Sequence, residues 1–409
     1  MNDFQPAAAR FPRTPSPPRA ARHVLALLSR LQRGSLDVQL PDGGSIQCGA
    51  PGRSPRATLR IKDWAVAGAV LSRGDIGFGE SYVQGHWSSQ DLVALMRLFL
   101  VNRSALEQTL YGRWWGALWS RLRHLSNRNS RRGSRRNIVA HYDLGNAFYR
   151  LWLDPSMNYS SAWFERGTQQ SLHEAQQAKM RRALSQLGLK PGQRLLEIGC
   201  GWGAVAEMAA RELQVRVTGV TLSREQWTFA RERLQAAGLA QACDLRLQDY
   251  RDIPERGFDA VISIEMFEAV GHAFWGTYFA QLHQCLKPGG LACVQSITLR
   301  DALWQRYSRS SDFIQQYIFP GGMLPSIERF EAAARRAGLV VEQRFAFGCD
   351  YAETLRRWRL AFLSHEAQVR AQGFDERFVR LWEFYLAYCE AAFAEGDTNV
   401  VQFNLRRPA

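Results

Sequence analysis

The stretch Leu195-Leu196-Glu197-Ile198-Gly199-Cys200-Gly201-Trp202-Gly203 decides the fold. Apolar residues around a single acid read as a buried strand, and three glycines at alternate positions read as a tight loop that opens a helix. Such a loop requires glycine, which takes positive φ without steric cost and lets backbone amides come close to a ligand. Alone the motif is weak evidence, since it fits a phosphate, a nucleoside or nothing.

Working outward, strand and helix patterns alternate. Strands are expected over residues 194–198, 215–220, 245–247, 260–264 and 291–297, and helices over 204–213 and 224–237. A further helix should end at the turn Lys287-Pro288-Gly289-Gly290. This is the pattern of an α/β doubly wound, Rossmann-like sheet, whose ligands lie beyond the carboxyl ends of the strands. Candidate ligand contacts are therefore Gly199, Cys200, Gly201 and Gly203 with Glu197 beneath them, then Thr221, Leu222 and Gln226, then Gln248 and Asp249, then Ile264. A dinucleotide site wants Gly-x-Gly-x-x-Gly, whereas strict alternation after Glu197 favours S-adenosylmethionine. Thr221-Leu222-Ser223 supplies no acid for the ribose, which leaves Gln226 as its candidate partner.

Upstream, residues 1–22 are rich in Pro, Ala and Arg and read as a disordered tail. Residues 23–110 read as a small α+β domain for lipid interaction. Val24, Leu27, Leu28 and Leu31 have helical spacing, and two short strands flank the turn Pro41-Asp42-Gly43-Gly44. A third strand is expected over 57–61 and a helix over 89–102, while Gly77, Gly79 and Gly85 read as turns. Residues 111–136 combine Trp114, Trp115 and Trp119 with eight arginines and no acid, a basic Trp/Arg-rich linker suited to a headgroup layer. The formal net charge of +14 points to the same kind of partner, an anionic phospholipid surface, and no nucleic-acid-binding motif accompanies it. No apolar run is long enough to span a bilayer. Seven scattered cysteines without a Cys-x-x-Cys pair suggest neither zinc nor a disulfide framework, and fit a cytoplasmic protein held at the inner face of a membrane.

The runs His141-Tyr142-Asp143-Leu144-Gly145-Asn146, Asn158-Tyr159-Ser160 and Gln176-Gln177-Ala178-Lys179 carry a family pattern. So do Met266-Phe267-Glu268, Tyr317-Ile318-Phe319-Pro320 and Phe347-Gly348 with Asp350-Tyr351. Together with the glycine loop they resemble the cyclopropane-fatty-acyl-phospholipid synthases and the related mycolic acid cyclopropane synthases. The resemblance covers nearly all of the chain after about residue 55 and makes residues 137–409 a methyltransferase domain with an acyl-chain insertion near 301–325. It implies methyl transfer from S-adenosylmethionine to the cis double bond of an unsaturated phospholipid acyl chain, with further cofactor contacts at Tyr159 and Ser160. Phe313, Tyr317 and Phe319 are candidates for an acyl tunnel, since aromatic faces stabilise a cation without attacking it.

In the family a bicarbonate ion takes the proton whose loss closes the ring. The resemblance implies Glu268, Tyr351 and the amide of Ile297 as its holders here. Two positions depart: Ser161 replaces a cysteine and Gln295 a histidine. Both side chains still donate to an oxyanion, but neither supplies a thiolate or imidazolium, so the bicarbonate site is weakened and Glu268 becomes a candidate base in its own right. Glu265 stands where a small residue is frequent and reads as a ribose partner or a support behind the site. Cys389 is a candidate site thiol or a buried structural one. The weakened site leaves open a cyclopropane product, a methyl- or methylene-branched chain, or a catalytically impaired lipid-binding relative. The aromatic stripes over 352–370 and 375–394 read as core plus a lipid or homodimer face.

Overall fold

The computed structural model describes residues 17–50, 52–110 and 144–409. The expectations placed on residues 1–16, on the Trp/Arg-rich segment 111–136 and on His141 and Asp143 lie outside the described residues.

The described residues open with α1 (Arg19–Leu28), so residues 19–22, expected to belong to a disordered tail, are helical. Ala21, Leu27 and Leu28 form the buried stripe that holds this helix down. Three short strands follow, β1 (Ser35–Gln39), β2 (Ser45–Gly49) and β3 (Arg56–Ile61), then α2 (Ala65–Val83), β4 (Trp87–Ser88), α3 (Leu92–Val101) and α4 (Arg103–Leu110). The sheet order is β2-β1-β3-β4. Trp87 is fully buried, stacks on Phe78 at 4.1 Å and donates its indole N–H to the Phe78 carbonyl. Gly77 and Gly79 are not turns but lie inside α2. The reason is close packing: a Cβ on Gly77 would sit 2.1 Å from the Ala69 carbonyl oxygen, and one on Gly79 would sit 2.4 Å from the Phe313 ring. Only Gly85 takes the positive φ of a turn among the three.

After α5 (Asn146–Arg150), α6 (Leu172–Ser185) starts at a reciprocal cap in which Ser171 and Glu174 satisfy each other's backbone amides. The main sheet then forms from β5 (Arg194–Ile198), α7 (Ala204–Glu212), β6 (Arg216–Thr221), α8 (Arg224–Ala236), β7 (Cys243–Leu247), β8 (Phe258–Ile264), α9 (Trp275–Cys285) and β9 (Leu286–Leu299). The Lys287-to-Gly290 turn falls within the bounds of β9, as an irregularity in its pairing with β8. Two short helices, α10 (Asp301–Tyr307) and α11 (Phe313–Tyr317), precede α12 (Ile327–Arg336) and β10 (Val340–Ala346). The expected 352–370 helix is divided at His365 into α13 (Gly348–Ser364) and α14 (Glu366–Ala371), and α15 (Glu376–Ala394) leads into β11 (Thr398–Arg406).

The seven strands run β10-β11-β9-β8-β5-β6-β7. Those from β7 to β9 are parallel, whereas β11 enters antiparallel beside β9 and β10 beside β11. From β5 the chain first proceeds to β6 and β7, then returns to β8 on the other side, so the switch point opens between the carboxyl ends of β5 and β8. The small lobe is not separate from this body. Phe384, Ala387 and Ala391 of α15, with Phe313 of α11, share one apolar core with Leu36, Val38, Trp87 and Leu95.

Candidate active site

The glycine loop meets the physical requirement that singled it out. Gly199, Gly201 and Gly203 have φ of 87, 50 and 83°, a region that costs other residues about 1–2 kcal/mol. A Cβ on Gly199 would reach 2.8 Å from Met266 and one on Gly203 2.9 Å from Ala230, while Gly201 faces open space. Gly203 also starts α7. This open, glycine-lined cradle at the switch point fits S-adenosylmethionine. Of the other expected contacts, Thr221 donates its hydroxyl to Gln226 Oε1 at 3.1 Å, Gln248 donates to the Asp252 carbonyl, and Asp249 is held in an ion pair by Arg251. Glu197 is buried with one carboxylate oxygen unpartnered, and burial pushes its carboxyl well above the ordinary range. Cys200, Leu222 and Ile264 line the strand ends by position.

Around the expected anion site the residues converge differently from the sequence expectation. Glu265 follows β8 directly and has φ 47°, a left-handed conformation that favours glycine. Its carboxylate points at the anion holders. The Ser161 amide donates to Oε1 at 2.9 Å, Gln295 Nε2 donates to the same oxygen at 2.7 Å, and the Tyr351 hydroxyl donates to Oε2 at 2.7 Å. Glu265 is therefore not a ribose partner. The backbone strain is offset by three hydrogen bonds to a charged group, each worth about 1.5–3 kcal/mol. Ser161 also differs from expectation: its hydroxyl donates to the Ala162 carbonyl, and it offers the site its amide instead. The donors that would hold bicarbonate are thus taken by a carboxylate of the chain itself, and the residues present do not fit that ion.

Glu268 sits one turn further on. The Ile297 amide donates to its Oε1, while Oε2 is shielded from solvent and unpartnered. Enclosure of the carboxyl, followed by the neighbouring Glu265, pushes it up to about 8. Burial raises Glu265 too, against the opposing pull of Lys179, Tyr351, Ser161 and Gln295. At neutral pH Glu268 therefore keeps its proton.

Beneath this pair lies Lys179 of α6, fully buried and pushed down to about 8 by that burial. Its ammonium donates to Ser160 Oγ at 2.5 Å, and Gln176 donates to the Ser160 carbonyl. The hydroxyl of Ser160 is thus committed to the protein interior. Tyr159 and Tyr385 share a 2.7 Å hydroxyl contact within a ring cluster of Tyr149, Trp152, Trp358 and Phe319. Phe319 is part of that ring cluster. Phe313 is not: it is core, packed on Phe384 at 4.7 Å between the centroids. Tyr317 is largely exposed and donates to Glu80 of α2. Cys389 is a free thiol packed into the same apolar cluster as Tyr351, and burial pushes its pKa well up, which is the opposite of what a reactive thiol needs. No metal-ligating cluster occurs among the described residues.

Comparison with known proteins places the chain in a family. Residues 129–403 match the family model described as mycolic acid cyclopropane synthetase. The chain is 37% identical over 420 residues to the tuberculostearic acid methyltransferase of Mycobacterium tuberculosis, covering 99% of this chain and 96% of that protein. It is 36% identical over 354 residues to the cyclopropane-fatty-acyl-phospholipid synthase of Escherichia coli, covering 85% and 87%. Among solved structures, the cyclopropane synthase MmaA2 of M. tuberculosis superposes with a TM-score of 0.63 at 33% identity, over 66% of this chain and 98% of that one. The mycolic acid cyclopropane synthase CmaA1, solved with SAH and CTAB, matches with the same TM-score, identity and coverage.

Proposed function

Since the chain belongs to the mycolic acid cyclopropane synthetase family and is an S-adenosylmethionine-dependent methyltransferase, we propose that it methylates the cis double bond of an unsaturated acyl chain in a membrane phospholipid, forming a cyclopropane, with Glu265 as the base. The observation that carries the reading is the Glu265 carboxylate seated on Ser161, Gln295 and Tyr351. Bound S-adenosylmethionine supplies an activated methyl group on a sulfonium.

The chain's own part follows from its residues. The cradle from Gly199 to Gly203 holds the donor, with Glu197, Thr221 and Gln226 as its polar surroundings. The rings of Tyr159 and Phe319 exclude water and face the cation that methyl transfer leaves on the acyl chain. A carboxylate has about four acceptor positions, and three on Glu265 are occupied, so one on Oε2 is left to accept the proton from the new methyl group. The C–H electron pair then closes the ring. Glu268, kept neutral by enclosure and by Glu265, adds no second negative charge.

Phospholipid is favoured over mycolic acid by extent. The mycolic acid synthases align with 66% of the chain and nearly all of their own length, whereas the E. coli phospholipid synthase aligns with 85% of it. The charge of +14 and the Trp/Arg segment support a peripheral seat on an anionic bilayer at the cytoplasmic face. No helix among the described residues is long and apolar enough to cross a membrane. A branched-chain product is the second reading, favoured by the relative named a tuberculostearic acid methyltransferase, which aligns over 99% of the chain. Incubation with methyl-labelled S-adenosylmethionine and liposomes of cis-unsaturated phospholipid tests both. Upfield ring-methylene signals in the proton NMR spectrum of the recovered acyl chains support the cyclopropane. Mass gain without them supports the branch, and label absent from the acyl fraction defeats the proposal.

A further inference from the structure

The Gln295 amide must present its N–H rather than its carbonyl to Glu265, a sense the acceptor-only carboxylate favours and a second contact can lock. That contact lies on the next strand. The β9–β11 register pairs Gln295 directly with Gln402, and both side chains are fully buried. Gln402 Nε2 donates to Gln295 Oε1 at 3.0 Å. The orientation of Gln402 is fixed from two sides by groups that have only one hydrogen-bonding sense. Arg182 Nη1 of α6, a donor that cannot accept, meets Gln402 Oε1 at 2.6 Å, and the Lys179 backbone carbonyl, an acceptor that cannot donate, meets Nε2 at 3.3 Å. Arg182 is itself seated over the Phe345 ring at 3.7 Å.

We propose that Gln402, anchored by Arg182 and the Lys179 carbonyl, is a positioning residue that sets the polarity of a buried amide relay, Arg182 to Gln402 to Gln295 to Glu265, and so keeps Gln295 a donor to the catalytic carboxylate. The proposal rests on the reading of Glu265 as base. Reversal of either amide would set a carbonyl oxygen against a carboxylate oxygen, turning a charge-assisted hydrogen bond into a repulsion in an enclosed site. The charged and titratable groups facing Glu265 are Lys179 from α6, Tyr351 from α13 and Glu268 from its own turn.

Gln402→Glu is the sharp test. Beside Arg182 the new carboxylate is ionised, keeps the Arg182 contact and the side-chain size, and accepts only, which forces Gln295 to turn over. The expected result is a fall of roughly 100-fold in kcat with unchanged S-adenosylmethionine binding. The acid limb of the kcat–pH profile should move up by about one unit, as Glu265 loses a donor. In a Gln295→Leu background Q402E should cost nothing further, because the relay is already cut. Gln402→Met, close in size and without added charge, removes the donor that holds Gln295 without forcing it to turn, and should give a smaller loss of kcat in the same direction if Q402E fails to fold. Wild-type kcat and an unmoved acid limb in the folded variant, or losses that add in the double variant, would overturn the relay. Glu265→Gln, run in parallel, separates the two claims: full activity there defeats Glu265 as base, whereas a dead E265Q beside a normal Q402E defeats the relay alone.

Discussion

Glu265→Gly removes the carboxylate that occupies the anion pocket while leaving its holders in place. Three effects bear on stability. The left-handed conformation at φ 47° no longer costs about 1–2 kcal/mol. Against this, glycine adds about 0.5–1 kcal/mol of lost chain entropy. The donors of Ser161, Gln295 and Tyr351 lose their partner, but the cavity left behind is polar and admits water. These contributions oppose one another, and water entering the cavity replaces the lost hydrogen bonds in part, so the loss of stability should be much smaller than the sum of the three bonds. Activity is another matter, because loss of a general base costs typically 10²–10⁴-fold. The vacated pocket presents three converging donors with Lys179 behind them, which suits a small carboxylate-like anion. Methyl transfer from labelled S-adenosylmethionine to unsaturated liposomes should therefore collapse in E265G and recover as bicarbonate or formate is added. Glu265→Gln, which still fills the space, should stay dead under the same additions. An E265G protein with wild-type activity in anion-free buffer, or a folded one that no small anion restores, would refute the reasoning.

Three other predictions test neighbouring parts of the account. Glu268 keeps a proton up to about pH 8 in the folded chain but loses it near 4.3 when unfolded. Its stabilising contribution is thus complete below that lower value and is lost as pH rises to about 8, by at most about 5 kcal/mol; Tm measured from pH 5 to 8 should fall more steeply for wild type than for Glu268→Gln, and equal slopes would count against it. Gly203→Ala places a Cβ 2.9 Å from that of Ala230 at φ 83°, so calorimetry should show about 1–3 kcal/mol of lost stability with weaker S-adenosylmethionine binding; unchanged binding would mean the loop is not the cradle. Gly79→Val drives a side chain into Phe313 and Phe384, an overpacking worth about 1–3 kcal/mol, and should loosen α11 and α15 together in hydrogen exchange, since they share that core.

The alternation of strands and helices and the glycine cradle were legible because they rest on local rules, namely apolar runs, turn residues and positive φ. Gly77 and Gly79 misled for a related reason: glycine marks either a turn or a close approach, and only the contact with Phe313 distinguishes them. Phe313 read as an acyl-tunnel residue because an aromatic side chain suits a tunnel as well as a core, whereas α2 and α15 enclose it. At the active site Ser161, Gln295, Tyr351 and Glu268 were identifiable one by one, but not that the first three hold Glu265. Three departures from the family pattern, at 161, 265 and 295, are individually losses. Brought together by β8, β9 and the loop before α6, they compensate one another, with the glutamate supplying the anion. Gln402 carried no chemical signature and Lys179 only its place in the run 176–179, because their importance arises from cross-strand register and burial.

The central claim is that the chain carries its own base in place of bicarbonate. The most direct measurement is the methyl-transfer rate of the unmodified protein on unsaturated phospholipid liposomes in carbon-dioxide-free buffer, before and after millimolar bicarbonate is restored. The same rate is expected in both. A rate that falls on depletion and returns with bicarbonate would contradict it.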